Sequence, residues 1–163
     1  MSHVRVEHVS LSYLSRPGDP PFTAVEDVDF EVGEGEFLTV VGPSGCGKSS
    51  LLLAIDGLMP VARGQIAIRG QPVKGPGRDR AMVFQEFALL PWRTVEENLW
   101  FGLELQRLPR QELKAAADKY LALVGLTAFR RHYPHQLSGG MRQRIGIARA
   151  LAVRPEILLM DEP

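Results

Sequence analysis

The chain is 163 residues long, 45% apolar and 23% charged, with zero formal net charge and a pI near 6.9. That is the make-up of an ordinary folding domain, which excludes a disordered chain, and the balanced charge predicts no long-range pull toward nucleic acid or anionic lipid. The single cysteine, Cys46, excludes an internal disulfide framework and a multi-cysteine metal site and fits a reducing compartment.

The N-terminus, MSHVRVEHVSLSY, alternates polar and apolar residues and lacks the apolar stretch of a signal peptide, so the reading is of a protein that is not exported. Nowhere does the chain reach the roughly 20 apolar residues that a membrane-spanning helix needs. Val4, Val6, Val9 and Leu11, then Val25, Val28, Phe30 and Val32, approximate a period of two and predict two antiparallel strands around a Pro/Gly loop at Ser15 to Pro21. Phe37 to Val41 predicts a short strand entering a glycine-rich turn, and Leu51, Leu52, Ile55 and Leu58 a helix after it. Gln65 to Ile68 and Ala81 to Phe84 read as strands separated by a Gly/Pro-rich connection at Gly70 to Gly77.

The period then changes. Thr94 and Glu97 form a capping-box pattern ahead of Val95, Leu99 and Leu103, which predicts a helix. A second follows from Pro109 near its start, the stripe Leu113, Ala117, Tyr120, Leu121 and Val124, and Gly125 as its stop. Residues 94 to 132 thus read as a helical insert. Met141, Ile145, Ala148 and Leu151 mark a third helix closed by Arg154-Pro155, and Ile157 to Met160 a buried strand delivering Asp161 and Glu162. There is no internal repeat or low-complexity segment.

Gly42, Pro43, Ser44, Gly45, Cys46, Gly47, Lys48 and Ser49 satisfy G-x-x-x-x-G-K-[ST] between a predicted strand and a predicted helix, the context that a phosphate-binding loop requires. Glycines let successive N–H groups face an anion, and the following helix adds the positive end of its dipole. In that role Lys48 reaches the β- and γ-phosphates and the Ser49 hydroxyl ligates Mg²⁺, with Ser50 next in line. A chance glycine turn is the bland alternative, and it is weak once strand and helix flank the pattern. Cys46 reads as a small polarizable filler rather than a nucleophile, since no histidine lies near it in sequence.

LSGGMRQR, Leu137 to Arg144, resembles the signature motif of the ABC ATPases. Taken alone, Ser138, Gly139 and Gly140 are equally a helix-capping turn; as the signature they form a second anion site at a helix N-terminus. The resemblance implies a head-to-tail dimer with a second ATPase subunit, this motif closing over the γ-phosphate held by the partner's loop. ILLMDEP, Ile157 to Pro163, resembles the Walker B strand, which gives Asp161 to Mg²⁺ and Glu162 to the attacking water; an acidic pair after a strand is otherwise a solvated turn. Gln85 matches the Q-loop glutamine, whose side chain reaches Mg²⁺ or its water. Tyr13 stands where the family has an aromatic that stacks on adenine, with Phe22 as the competing candidate and a core-covering strand tyrosine as the plain reading. His132 and His135 read as loop histidines, not ligands.

The fold so implied is α/β: a P-loop NTPase (RecA-like) core with an N-terminal antiparallel β subdomain and a helical subdomain, incomplete at the C-terminus. Its parts are 1–84 (β subdomain and phosphate-loop core), 85–137 (Q-loop and helical subdomain) and 138–163 (signature helix and Walker B strand). VFQEFALLPWRTVEENL, Val83 to Leu99, looks like the ATPase subunits of importers for nitrate, sulfonates, taurine and related anions. Leu89, Leu90 and Trp92 beside Arg93 suit a surface that receives a helix from a membrane subunit; Trp92 as plain core is the alternative. The cofactors implied are ATP and Mg²⁺. The implied partners are an integral membrane permease and a periplasmic or lipid-anchored solute-binding protein, without nucleic acid, at the cytoplasmic face of a bacterial plasma membrane. The helical insert and zero net charge disfavour a soluble ABC ATPase working on DNA or ribosomes; a truncated, non-catalytic nucleotide-binding remnant is the other reading. The family continues past this point with a D-loop and a switch histidine. Its switch strand lies between the phosphate-loop and Walker B strands, so the 163-residue chain is expected to be marginally stable and to turn over little ATP alone.

Overall fold

The computed structural model describes residues 2–13 and 21–162, in two compact units, Met1–Gly77 and Arg78–Pro163. The expected loop at Ser15 to Pro21 falls almost wholly outside the described residues.

In the first unit, β1 (Ser2–Tyr13) pairs antiparallel with β2 (Phe22–Gly33) on one side and with β3 (Arg63–Ile68) on the other, and β4 (Gln71–Pro72) adds a short edge to β3. The Gly70 to Gly77 connection therefore contains one more strand than its glycines suggested. The imperfect period of β1 has a physical cause. Val6 and Val9 are three residues apart yet both buried, because a bulge between them, with His8 at φ 49°, returns Val9 to the buried face. A matching irregularity in β2, with Asp27 at φ 50°, lets Val28 face Val9 and Val25 face Leu11. The helix α1 (Lys48–Asp56) buries Leu51, Ala54 and Ile55 and ends at Gly57 in the left-handed conformation. A Cβ at Gly57 would lie 2.2 Å from the carbonyl oxygen of Gly75.

The segment Phe37 to Val41 corrects the sequence reading: it is not a strand. It has no ladder partner among the described residues, and Phe37 and Val41 are 81% and 87% exposed. Apolar, β-favouring residues supply the propensity for a strand, but without a neighbour to satisfy its N–H and C=O groups no strand forms.

In the second unit β5 (Arg80–Val83) pairs parallel with β6 (Ile157–Met160). Between them in sequence come α2 (Val95–Leu105), α3 (Arg110–Leu123) and α4 (Gly139–Ala152), with single 3-10 turns at Thr127–Phe129 and Pro134–Gln136. The helices share one core: Val95, Leu99 and Leu103 of α2, Leu113, Tyr120 and Leu121 of α3, and Ile145, Ala148 and Ala152 of α4. Tyr120 tightens it, its hydroxyl donating to the Leu151 carbonyl at 2.9 Å. The capping box at Thr94 and Glu97 forms in both directions, and Gly125 takes φ 69° just beyond α3. β6 is less buried than its apolar run suggests, Leu159 being its only buried residue. No helix of the described residues is long and apolar enough to cross a membrane.

Candidate functional site

The glycine-rich turn of the first unit is shaped by its own sequence. Gly47 caps α1 at φ 92°, and a Cβ there would lie 2.4 Å from Val25 Cγ2 and 2.7 Å from the Ala24 carbonyl oxygen, so glycine is required for both conformation and space. At Gly42 a Cβ would stand 2.7 Å from Cys46 Sγ, which occupies the room that glycine leaves. Lys48 Nζ donates to the carbonyls of Gly42 and Pro43, both at 2.9 Å, and lies 3.9 Å from Cys46 Sγ. These are neutral acceptors, and no carboxylate among the described residues forms an ion pair with this ammonium. The first turn of α1 carries no acidic residue and no side-chain cap, and its first intrahelical bond comes from Leu51 N to Gly47 O. The first turn of α1 thus presents backbone amides ahead of its hydrogen-bonded ladder. Ammonium, amides and helix dipole together suit a polyphosphate, so the residues present fit the group that the motif implies.

Tyr13 and Phe22 sit opposite each other in the β1–β2 ladder, 42% and 63% exposed. The Tyr13 hydroxyl is 2.9 Å from the Oγ of the buried Ser50, which ties the end of β1 to the first turn of α1. The hydroxyl at position 50 is therefore a structural partner of Tyr13.

Gln85, Ser138, Gly139, Gly140, Asp161 and Glu162 belong to the second unit. The parallel pairing continues past β6, with Asp161 N donating to Val83 O at 3.0 Å. Two predicted residues 77 positions apart then meet: Gln85 Nε2 donates to Glu162 Oε2 at 2.6 Å, with Glu162 at φ 47°. Ser138 is the N-cap of α4, accepting from Met141 N at 3.3 Å, and no acid lies in that first turn. It is both a capping serine and the start of an exposed helix N-terminus. A Cβ on Gly139 or Gly140 would meet nothing within 4 Å, so neither glycine is needed for packing here.

Two organising residues escaped the sequence reading. Asn98 is fully buried on the apolar face of α2; its amide donates to the carbonyls of Leu90, Arg93 and Thr94 and accepts from Leu90 N, so it sets the course of residues 90–94. Its signal was legible: an amide between Val95 and Leu99 on a buried stripe needs partners. Arg149 of α4 donates to the carbonyls of Ala88 and Phe87 at 2.8 and 3.1 Å, residues that hold φ values of 43° and 44°. Burial lowers the pKa of this guanidinium, and Gly146 brings α4 close, a Cβ there lying 3.5 Å from Phe87 O. Beyond this turn Trp92 is 71% exposed, so it is not core, whereas Leu89 packs against the helical core.

Comparison with known proteins gives this geometry its relatives. The family model described as "ABC transporter" matches residues 25–163. The chain belongs to the ABC transporter family. This ABC protein is 54% identical over 140 residues to an uncharacterized ABC transporter ATP-binding protein of Methanocaldococcus jannaschii, covering 86% of the chain and 52% of the relative. It is 48% identical over 163 residues to the taurine import ATP-binding protein TauB of Burkholderia pseudomallei, covering 100% of the chain and 62% of TauB. The ABC chain thus spans between about half and five-eighths of the length of these relatives. A solved ATP-binding cassette, in a dimeric post-hydrolysis state bound to ADP and Pi, matches with a TM-score of 0.89 and 34% identity over 98% of this chain and 74% of that one. The fold is that of an ABC ATPase cassette, a mixed α/β structure with an antiparallel β part and a helical part.

Proposed function

We propose that this chain is the nucleotide-binding part of the ATPase subunit of an ABC importer for a small anion, of the kind that includes taurine, sulfonates and nitrate. What carries the reading is the unneutralised Lys48 ammonium at a glycine-built helix N-terminus that lacks acid and cap. Similarity to TauB supports the importer class. Gly42 to Ser50 hold the phosphates of ATP through backbone N–H groups and Lys48, and Tyr13 flanks the base. Ser49, Gln85 and Asp161 would hold Mg²⁺, which would supply charge neutralisation for the β- and γ-phosphates. Glu162 orients or deprotonates the attacking water, and its bond to Gln85 supports placing the two in one catalytic group.

Ser138, Gly139 and Gly140 act on the nucleotide of a second ATPase subunit in a head-to-tail dimer, a reading supported by the dimeric relative bound to ADP and Pi. ATP makes both sets of contacts only in the closed dimer, so binding favours closure and hydrolysis releases it. Exposed Trp92 with Leu89, Leu90 and Arg93 receives the permease. The assembly then lies at the cytoplasmic face of a bacterial plasma membrane, with a periplasmic or lipid-anchored solute-binding protein on the other side.

Titration of a fluorescent ATP analogue with Mg²⁺ tests the nucleotide site: Lys48→Ala is expected to weaken binding by about two orders of magnitude, equivalent to about 2.7 kcal/mol. In the assembled importer, Glu162→Gln retains binding and loses turnover, while Ser138→Ala lowers turnover without changing affinity in the isolated subunit. Binding indifferent to Lys48, or hydrolysis undiminished without Ser138, overturns the proposal.

A further inference from the structure

The second unit contains a basic cavity that the proposed ATPase chemistry does not use, and we infer that it is a binding site for a small free oxyanion of the phosphate or sulfate class. The cavity holds about 280 Å³ and is lined by Glu96 and Trp100 of α2, Arg110 and Lys114 of α3, and Arg130 and Arg131 from the turn after α3. The helical period explains the convergence. Glu96 and Trp100 are one turn apart on one face of α2, and Arg110 and Lys114 one turn apart on one face of α3. None of the six belongs to the glycine-rich loop, the signature or the terminal carboxylates.

Four cations face one carboxylate, and that carboxylate is already neutralised. Arg130 Nη1 donates to Glu96 Oε1 at 2.9 Å, and its Nη2 to Asp118 Oδ1 on α3. The Asp118 bond, with Glu96 adding to it, raises the Arg130 pKa and keeps its guanidinium charged. Arg130 is thereby a fixed strut between α2 and α3. The side chains of Arg110, Lys114 and Arg131 make no ion pair or hydrogen bond among the described residues, although all three residues line the same cavity. Like charges gathered in a concave wall repel one another unless an anion joins them.

A second observation points the same way. The Nε1 of Trp100, a wall residue of the cavity, is shut off from solvent and meets no hydrogen-bond acceptor. Buried donors without acceptors are rare, and each asks for a partner. A tetrahedral oxyanion offers acceptors on every side, and two guanidinium forks and an ammonium supply its countercharge. A cavity of about 280 Å³ has room for such an ion. A concave pocket, rather than a broad basic face, favours a free ion over a lipid headgroup.

Trp92→Phe leaves Trp100 as the sole tryptophan of the chain, so its emission reports on the cavity. In that background, phosphate and sulfate titrated at constant ionic strength are expected to produce a saturable emission change, matched by calorimetric heat. Lys114→Glu and Arg131→Glu alter exposed side chains and should each weaken binding by about tenfold or more while leaving the far-UV dichroism intact. Lys48→Ala should leave the response unaltered, which separates this site from the phosphate loop. Absence of a saturable response by both readouts overturns the inference, as does a response that survives both charge reversals. So does a response to phosphatidylglycerol vesicles with none to the free anions.

Discussion

Thr94 and Glu97 show how one pair of residues sets an element and a pH response. Thr94 Oγ1 accepts from Glu97 N at 3.3 Å, and Glu97 Oε2 accepts from the Thr94 amide and hydroxyl, both at 2.8 Å. The Thr94 N–H, and after it the hydroxyl, holds the Glu97 carboxyl below the ordinary glutamate pKa. A carboxylate depressed in the folded state adds stability that is complete above the ordinary value and is lost as pH falls through the lowered one. Thr94→Ala is therefore expected to cost about 1 kcal/mol near neutrality. Urea unfolding at a series of pH values should show the difference from the parent chain shrinking below the ordinary glutamate range. A difference independent of pH would mean that the hydroxyl contributes nothing to the charged form.

At the scale of the element, α4 does two jobs. Its N-terminus carries Ser138 to Gly140, and one face carries Arg149, whose guanidinium spans the carbonyls of Phe87 and Ala88. Both carbonyls belong to residues at positive φ, where a non-glycine backbone is strained, so the turn beside Gln85 depends on a donor supplied by the helix. Arg149→Ala should lower stability by about 1.5–3 kcal/mol, as for hydrogen bonds made by a charged group. Arg149→Lys should recover less than the whole, since an ammonium lacks the planar fork. Amide exchange at residues 86–88 should quicken in the alanine variant and leave the far side of the helical core unchanged. Uniform quickening across the second unit would assign Arg149 to general packing instead.

The whole molecule shows where local preference yields to pairing. Phe37 to Val41 has the composition of a strand and the exposure of a loop, so its amides are expected to exchange near the rate of an unfolded chain while those of β1 are protected. If residues 37–41 exchange as slowly as β1, they are paired in solution and the unpaired description fails.

Much of the molecule was legible because its signals are local. The capping box, the stripe of α3 and the glycine-rich loop each depend on residues within about a turn or two of one another. Local periods and turn residues of this kind determined the helices and five of the strands, and they marked the loop as a candidate anion site. Other features depend on partners far apart in sequence. The paired bulges that bring Val9 and Val28 together, the Gln85–Glu162 bond, the Arg149 grip on residues 87–88 and the fate of Phe37 to Val41 were decided by tertiary structure. A strand exists only if another backbone accepts its hydrogen bonds, and a long-range bond only if the fold brings its ends within about 3 Å, neither of which a local period can record.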